Sequence, residues 1–151
     1  MNKNDFYDEL NKFTLLPGKI DYVSKGSFEN VQLSDEAKMH RNIVYVWRTE
    51  KPFPRFKGES NILYIGQTKQ SFAARYRNHA KWVTTKANYL KYAHAIEKYG
   101  PITISVFDFS RFGSTLKQAE GQLLWWYFQN HCEYPPINYT KTKIRSDEYV
   151  V

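Results

Sequence analysis

The sequence has one cysteine, Cys132, and four histidines in 151 residues. A lone thiol closes no internal disulfide, and scattered histidines beside it do not give the spacing of a zinc site. A reducing, cytoplasmic setting is therefore expected. No stretch comes near the roughly 20 consecutive apolar residues that a membrane-spanning helix needs, so no membrane partner is expected either. The opening residues, "MNKNDFYDELNKF", lack the basic start and apolar stretch of a secretory leader, and export is not predicted. Internal repeats and low-complexity tracts are also missing. With 42% hydrophobic and 17% aromatic residues, the chain has enough apolar side chains to bury a core. Its length suits one such core, and one globular domain is expected.

Charge is the first positive signal. Twenty-two Lys and Arg face fifteen Asp and Glu, a formal net charge of +7. That balance favours a polyanionic partner, and nucleic acid, DNA in particular, leads the candidates. Solvated surface lysines would give the same number, so charge alone does not decide.

From Arg41 onward the punctuation is clear. "IVYVWR" and "ILYIG" are short runs rich in β-branched and aromatic residues. The intervening "TEKPFPRFKGES" carries two prolines and a glycine, and the pair reads as a hairpin with a long loop. "TKQSFAARYRNHAKW" changes to helical spacing, with Phe72, Arg75, Tyr76 and His79 on one face and Ser71 or Thr68 as its cap. A second helix, "ANYLKYAHAIEKYG", places Tyr89, Tyr92, Ala93, Ile96 and Tyr99 on one stripe and stops at Gly100 and Pro101. "ITISVFDF" reads as a third strand. "STLKQAEGQLLWWYFQNH" follows as a long helix, with Thr115 and Gln118 spaced as a capping box and Leu116, Ala119, Leu123 and Phe128 near its apolar side. Trp125 and Trp126 point to different sides of that helix. One should pack in the core and the other against a terminal segment or a second subunit.

Residues 1–40 are less legible. "NDFYDELNKF" is compatible with a short helix, while "LLPGKIDYVSKGSFENVQ" shows turn residues and broken alternation. The division expected is an N-terminal extension (1–40), a catalytic domain (41–140) and a basic tail (141–151). The fold class is α+β, with a small central antiparallel three-stranded sheet flanked by helices.

Several polar residues fall on these elements in a telling order. Tyr45 lies in "VYV" (Val44 to Val46) and Tyr64 in "YIG" (Tyr64 to Gly66). Arg75 and His79 are four apart on the first helix, Glu120 is on the long helix, and Asn138 follows a proline turn in "PPIN". Together they resemble the GIY-YIG nuclease family over about Arg41 to Tyr139. The family's first glycine corresponds to Ile43, a position at which the family is lax. The resemblance implies a metal-dependent endonuclease of stand-alone, restriction type that hydrolyses phosphodiester bonds site-specifically in duplex DNA.

Phosphodiester hydrolysis needs an activated water, neutralisation of the charge growing on phosphorus, and help for the departing 3′ oxygen. The resemblance implies that Tyr45 takes part in deprotonating the water and that His79 and Tyr64 relay or position that proton. A phenol, with a pKa near 10, suits a base only if its proton is shared or a cation lowers its pKa. Arg75, one helical turn before His79, is expected to hold a phosphate oxygen and supply that field. Glu120 is the expected ligand for Mg²⁺, with Mn²⁺ as a substitute, since Mg²⁺ often takes one or two protein carboxylates plus substrate oxygens and waters. Asn138 supports the site or touches the phosphate.

Further DNA contacts are expected from Lys69 and Arg77, from the hairpin loop (Lys51, Arg55, Lys57) and from the tail (Lys141, Lys143, Arg145). Ordinary roles stand beside each of these. The tyrosines would serve as core residues of strands, Arg75 and His79 as a solvated helix face, Glu120 as a partly exposed edge position and Asn138 as a turn residue. His40, His94 and His131 read as structural. A homodimer on a symmetric site suits two-strand cleavage. A monomer cutting single-stranded or branched DNA, as in repair or mobile elements, fits the residues as well, and so does a binding module that has lost turnover.

Overall fold

The structure, a computed structural model, describes residues 3–83 and 86–138. The element order is α1 (Phe6–Leu10), β1 (Thr14–Leu15), α2 (Lys25–Gln32), α3 (Asp35–Met39), β2 (Ile43–Pro54), β3 (Glu59–Thr68), α4 (Phe72–Arg75), α5 (Lys86–Tyr99), β4 (Ile102–Asp108) and α6 (Leu116–His131), with short 3₁₀ turns at Lys3–Asp5, His79–Lys81 and Phe109–Arg111. The class is α+β as expected. The sheet has four strands, not three, all antiparallel and in the order β1, β4, β2, β3. The added strand is two residues long, Thr14 and Leu15 opposite Val106 and Ser105. A strand of that length is too short to show alternation, which is why the sequence does not announce it.

Strand β2 sits between β3 and β4 and sorts its side chains with period two. Ile43, Tyr45 and Trp47 face one core cluster, with Phe28, Phe72, Tyr76 and Tyr92, while Val44 and Val46 face another, with Phe6, Leu10, Leu123 and Tyr127. Helices α2, α4 and α5 thus cover one face of the sheet, and α1 and α6 cover the other. In β3 the pairing slips between Trp47 opposite Tyr64 and Arg48 opposite Ile62. Leu63 is the extra residue of a bulge, so Tyr64 and Gly66 face the same side as Tyr45.

The hairpin loop is much shorter than the sequence suggests. Pairing continues to Phe53 opposite Ser60 and Pro54 opposite Glu59, leaving a turn closed by Arg55 N–H donating to the Gly58 carbonyl at 2.9 Å. Prolines at 52 and 54 are tolerated because β4 pairs with β2 only as far as Thr49. Beyond that point β2 has one free edge, and a missing N–H there breaks no ladder.

The helix ends follow the sequence more closely. Ser71 accepts from Ala74 N–H at 3.1 Å and Thr115 from Gln118 N–H at 3.1 Å, as N-caps do. The buried stripe of α6 is Ala119, Leu123, Trp126, Tyr127 and His131, and Trp125 is left 54% exposed. His131 is structural: its Nε2 lies 2.5 Å from the Tyr7 hydroxyl, and its Nδ1 is 2.9 Å from the Lys57 carbonyl. Burial pushes the Tyr7 phenol up to about 12.

Residues 3–40 are integral to both cores. Phe6 and Leu10 are buried against α6, and Leu16, Ile20, Phe28 and Val31 are buried on the opposite face. Truncating the fully buried Phe6 ring to Ala should lower the unfolding free energy by about 3–5 kcal/mol. Met39→Ala, at a residue 76% exposed, should change it by less than about 0.5 kcal/mol. Urea titration of the two variants measures the contrast.

Candidate active site

Tyr45 lies opposite Gly66 in the ladder, and Tyr64 lies opposite Trp47. The two tyrosines are therefore diagonal neighbours on one face, with ring centroids 6.0 Å apart. Glycine at 66 is required by this packing: a Cβ there would sit 2.6 Å from both Cζ and the hydroxyl of Tyr45. The Tyr45 ring crosses β3 directly over the glycine and carries its hydroxyl toward the outer edge of the sheet.

A cavity of about 750 Å³ opens at that edge. Its lining includes Tyr45, Tyr64, Gln67, Arg75, Lys117, Glu120, Gly121, Trp125, Tyr134 and Asn138. Five of the six residues expected to be catalytic thus share one concavity, brought from β2, β3, α4, α6 and the segment after the proline turn. Electrostatics report the same convergence. The Arg75 charge favours ionisation of both tyrosines and the Glu120 charge disfavours it. Burial outweighs either charge and holds both phenols above their ordinary range. The lowered phenol pKa expected from a nearby cation is not found in the protein alone, so Tyr45 keeps its proton at neutral pH. Tyr76 donates to the Tyr45 hydroxyl at 3.0 Å, and Tyr45 in turn is hydrogen-bonded to Tyr64, so the three phenols form a chain that ends at the cavity.

Asn138 acts on the backbone. Its Oδ1 accepts from Ile65 N–H at 2.9 Å and its Nδ2 donates to the Ile65 carbonyl at 2.8 Å, while Ile137 N–H donates to the Leu63 carbonyl at 2.9 Å. The side-chain amide imitates a neighbouring strand along the edge of β3 and fixes the register of Tyr64 between those two residues.

His79 is placed elsewhere. The helix expected to run through residue 82 stops at Arg75, and tighter turns follow, with His79 N–H donating to Tyr76 O at 3.1 Å and Trp82 N–H to His79 O at 2.9 Å. At three residues per turn, positions three apart share a side, and Tyr76 and His79 both enter the aromatic core. Arg75, four before His79, is turned roughly 120° away and stays exposed. His79 packs 4.9 Å from Tyr76 and 5.5 Å from Trp47, ring to ring, with Nδ1 2.9 Å from Gln32 Nε2. Burial, helped by the Arg75 charge, lowers its pKa to about 4, so the ring is neutral at pH 7. It meets solvent in a second cavity of about 410 Å³ that also takes in Arg75, Arg77 and Trp82.

The expected DNA contacts divide. Lys51, Lys57 and Lys69 are exposed but do not line the Tyr45 cavity. Arg55 is engaged within the protein, 2.6 Å from Glu133 and 2.8 Å from the Tyr134 carbonyl. Lys141, Lys143 and Arg145 lie outside the described residues. Sequence reasoning missed Lys117, Gln67 and Tyr76. Lys117 stands one helical turn before Glu120, a spacing that would have flagged it. Tyr76 was counted only as part of an apolar stripe.

Glu120 is the single carboxylate lining the cavity, and no cluster of three or more Asp, Glu, His or Cys occurs among the described residues. One hard oxygen ligand beside two cationic side chains suits Mg²⁺ that arrives with, and is largely coordinated by, a phosphate and water. It does not suit a metal held by protein alone. No protein-family model, curated protein or solved structure matches the chain.

Two outcomes test this geometry. Gly66→Ala should cost about 1–3 kcal/mol of stability, and in Tyr45→Ala the same change should cost much less, since the clash is gone. A double-mutant cycle by urea unfolding reads that coupling. His79, with a folded pKa of about 4 against 6.5 unfolded, makes the unfolded chain the better proton binder as pH falls. Its contribution is complete above pH 6.5 and is lost progressively toward pH 4, on the order of 3 kcal/mol in all. Between pH 7 and 5 the denaturation midpoint should fall, and His79→Gln should flatten that part of the slope.

Proposed function

We propose that this chain is a metal-dependent endonuclease that hydrolyses phosphodiester bonds in DNA. The observation that carries the reading is the meeting of Tyr45, Tyr64, Arg75 and Glu120 around one cavity large enough for a nucleotide phosphate. The resemblance to GIY-YIG nucleases supports it from the order of the same residues.

Arg75 and Lys117 bind the non-bridging oxygens and offset the charge that builds on the pentavalent phosphorus. Tyr45, protonated and backed by the Tyr76 hydroxyl, exchanges its bond to Tyr64 for one to the phosphoryl group or the incoming water and orients it. Tyr64 brackets the other side of that position, and Asn138 holds it there through Ile65. Glu120 would hold a divalent cation, which would supply charge neutralisation for the reacting phosphate. The water oxygen bonds to phosphorus as the bond to the 3′ oxygen breaks. The water gives up one proton to bulk solvent and the leaving 3′ oxygen takes one from it, giving a phosphate monoester and a hydroxyl end.

Supercoiled plasmid and an end-labelled single strand, each with Mg²⁺, Mn²⁺ or EDTA, test the reading. Cleavage of at least one substrate is expected with metal and none with EDTA, and Glu120→Gln and Arg75→Ala should each slow it by about 100-fold or more. Intact DNA under every metal, or undiminished cutting by Glu120→Gln, would overturn it.

A further inference from the structure

On the open face of α6 the residues at positions 117, 120, 121, 124 and 125 all line the cavity. Trp125 closes that series and is 54% exposed, an unusual setting for the largest apolar side chain. Its indole lies parallel to the Phe128 ring, with planes 9° apart and centroids offset to 6.2 Å, and Phe128 packs on Tyr134 at 5.2 Å. Tyr134, 44% exposed, lines the same cavity. The result is an aromatic wall facing a space that is also lined by the Arg75 and Lys117 cations and the Glu120 carboxylate.

Gly121 adds a second observation. A glycine inside a helix costs about 0.5–1 kcal/mol relative to alanine. Here no packing requires it, because a Cβ at 121 would meet nothing within 4 Å. The bare helix surface lies between Glu120 and Trp125 in the cavity wall, which suits a group outside the protein that approaches the backbone closely.

We propose that Trp125, backed by Phe128 and flanked by Tyr134, is a stacking platform for an unpaired nucleobase whose neighbouring phosphate lies at Arg75 and Lys117, so that the polynucleotide bound here is single-stranded or locally unpaired. Stacking on an aromatic face together with cations on the backbone is the general means of holding a single strand. Within a duplex both faces of each base are already covered by neighbours, so a base must be unpaired or unstacked to offer a face to Trp125. The net charge of +7 gives the complementary long-range attraction. This inference rests on the nuclease reading for the position of the phosphate, but it concerns binding alone.

The test uses the full chain carrying Glu120→Gln, titrated with an oligonucleotide containing 2-aminopurine, as a single strand and as the matching duplex. Quenching on binding and preference for the single strand by about 10-fold or more are expected. Adding Trp125→Ala should weaken single-strand binding roughly 5- to 100-fold and abolish the quench, with the salt dependence unchanged, whereas Trp125→Phe should retain most of both. Lys117→Ala should instead reduce the salt slope by about 0.7, the amount for one phosphate contact on a single strand. Equal binding of both forms, or unaltered affinity in Trp125→Ala, would overturn the proposal. So would sedimentation showing that Trp125→Ala merely dissociates a dimer. Stacking without cleavage by the wild-type chain under any metal would sink the hydrolase reading and leave this one standing.

Discussion

The cavity depends on one crossing: the Tyr45 ring passes over β3 at Gly66, where a hydrogen takes the place of a side chain. Tyr45 belongs to a central strand, and a Cβ at 66 would collide with its ring where it stands. With the glycine the phenol is 1% exposed and still reaches the cavity wall. The other contributors are arranged around that point. Tyr64 reaches the same face because the bulge at Leu63 resets the alternation of β3, and Asn138 holds the reset strand by bonding both backbone groups of Ile65.

Burial sets the chemistry of these phenols more strongly than charge does. Arg75 and Glu120 act on Tyr45 and Tyr64 in opposite directions, and each acts across partly solvated space where its effect is damped. Loss of hydration by the phenolate is not compensated, so both protons stay on. Tyr76 is fully enclosed and its hydroxyl has Tyr45 as partner, which gives the tyrosine cluster a fixed direction of donation toward the cavity. A cluster of neutral donors suits recognition of an anion.

Legibility followed the range of the interactions. Strands β2 to β4, the caps at Ser71 and Thr115 and the division of labour between Trp125 and Trp126 were readable because adjacent residues and simple periodicity determine them. The meeting of Tyr45, Tyr64, Arg75 and Glu120 was readable only through the order of residue types along the chain. Three things were not readable. The two-residue strand β1 has no period to display. The pairing of Phe53 and Pro54 is decided by where β4 ends. His79 left the face of Arg75 because Tyr76, stacked 4.6 Å from Phe72 and 5.4 Å from Trp47, is drawn inward, and the chain tightens after it. Helical spacing assumes 3.6 residues per turn, and a tertiary contact changed that number.

Strand β3 is the sheet's outer edge, and an edge of this length would normally invite pairing with another chain. The protein blocks it with different materials along its length. Residues 137 and 138 occupy the hydrogen-bonding groups of Leu63 and Ile65, and further along the cavity takes over, with Lys117, Glu120 and Gly121 presented from α6. The same proline turn that carries Asn138 onto the strand also brings Tyr134 beside Phe128, with Pro135 buried between the two attachments. Protecting the edge and erecting the aromatic wall are thus one structural act. Loosening the turn would shift Tyr64 and the wall together, because only four residues of chain, Pro135 to Asn138, join the two.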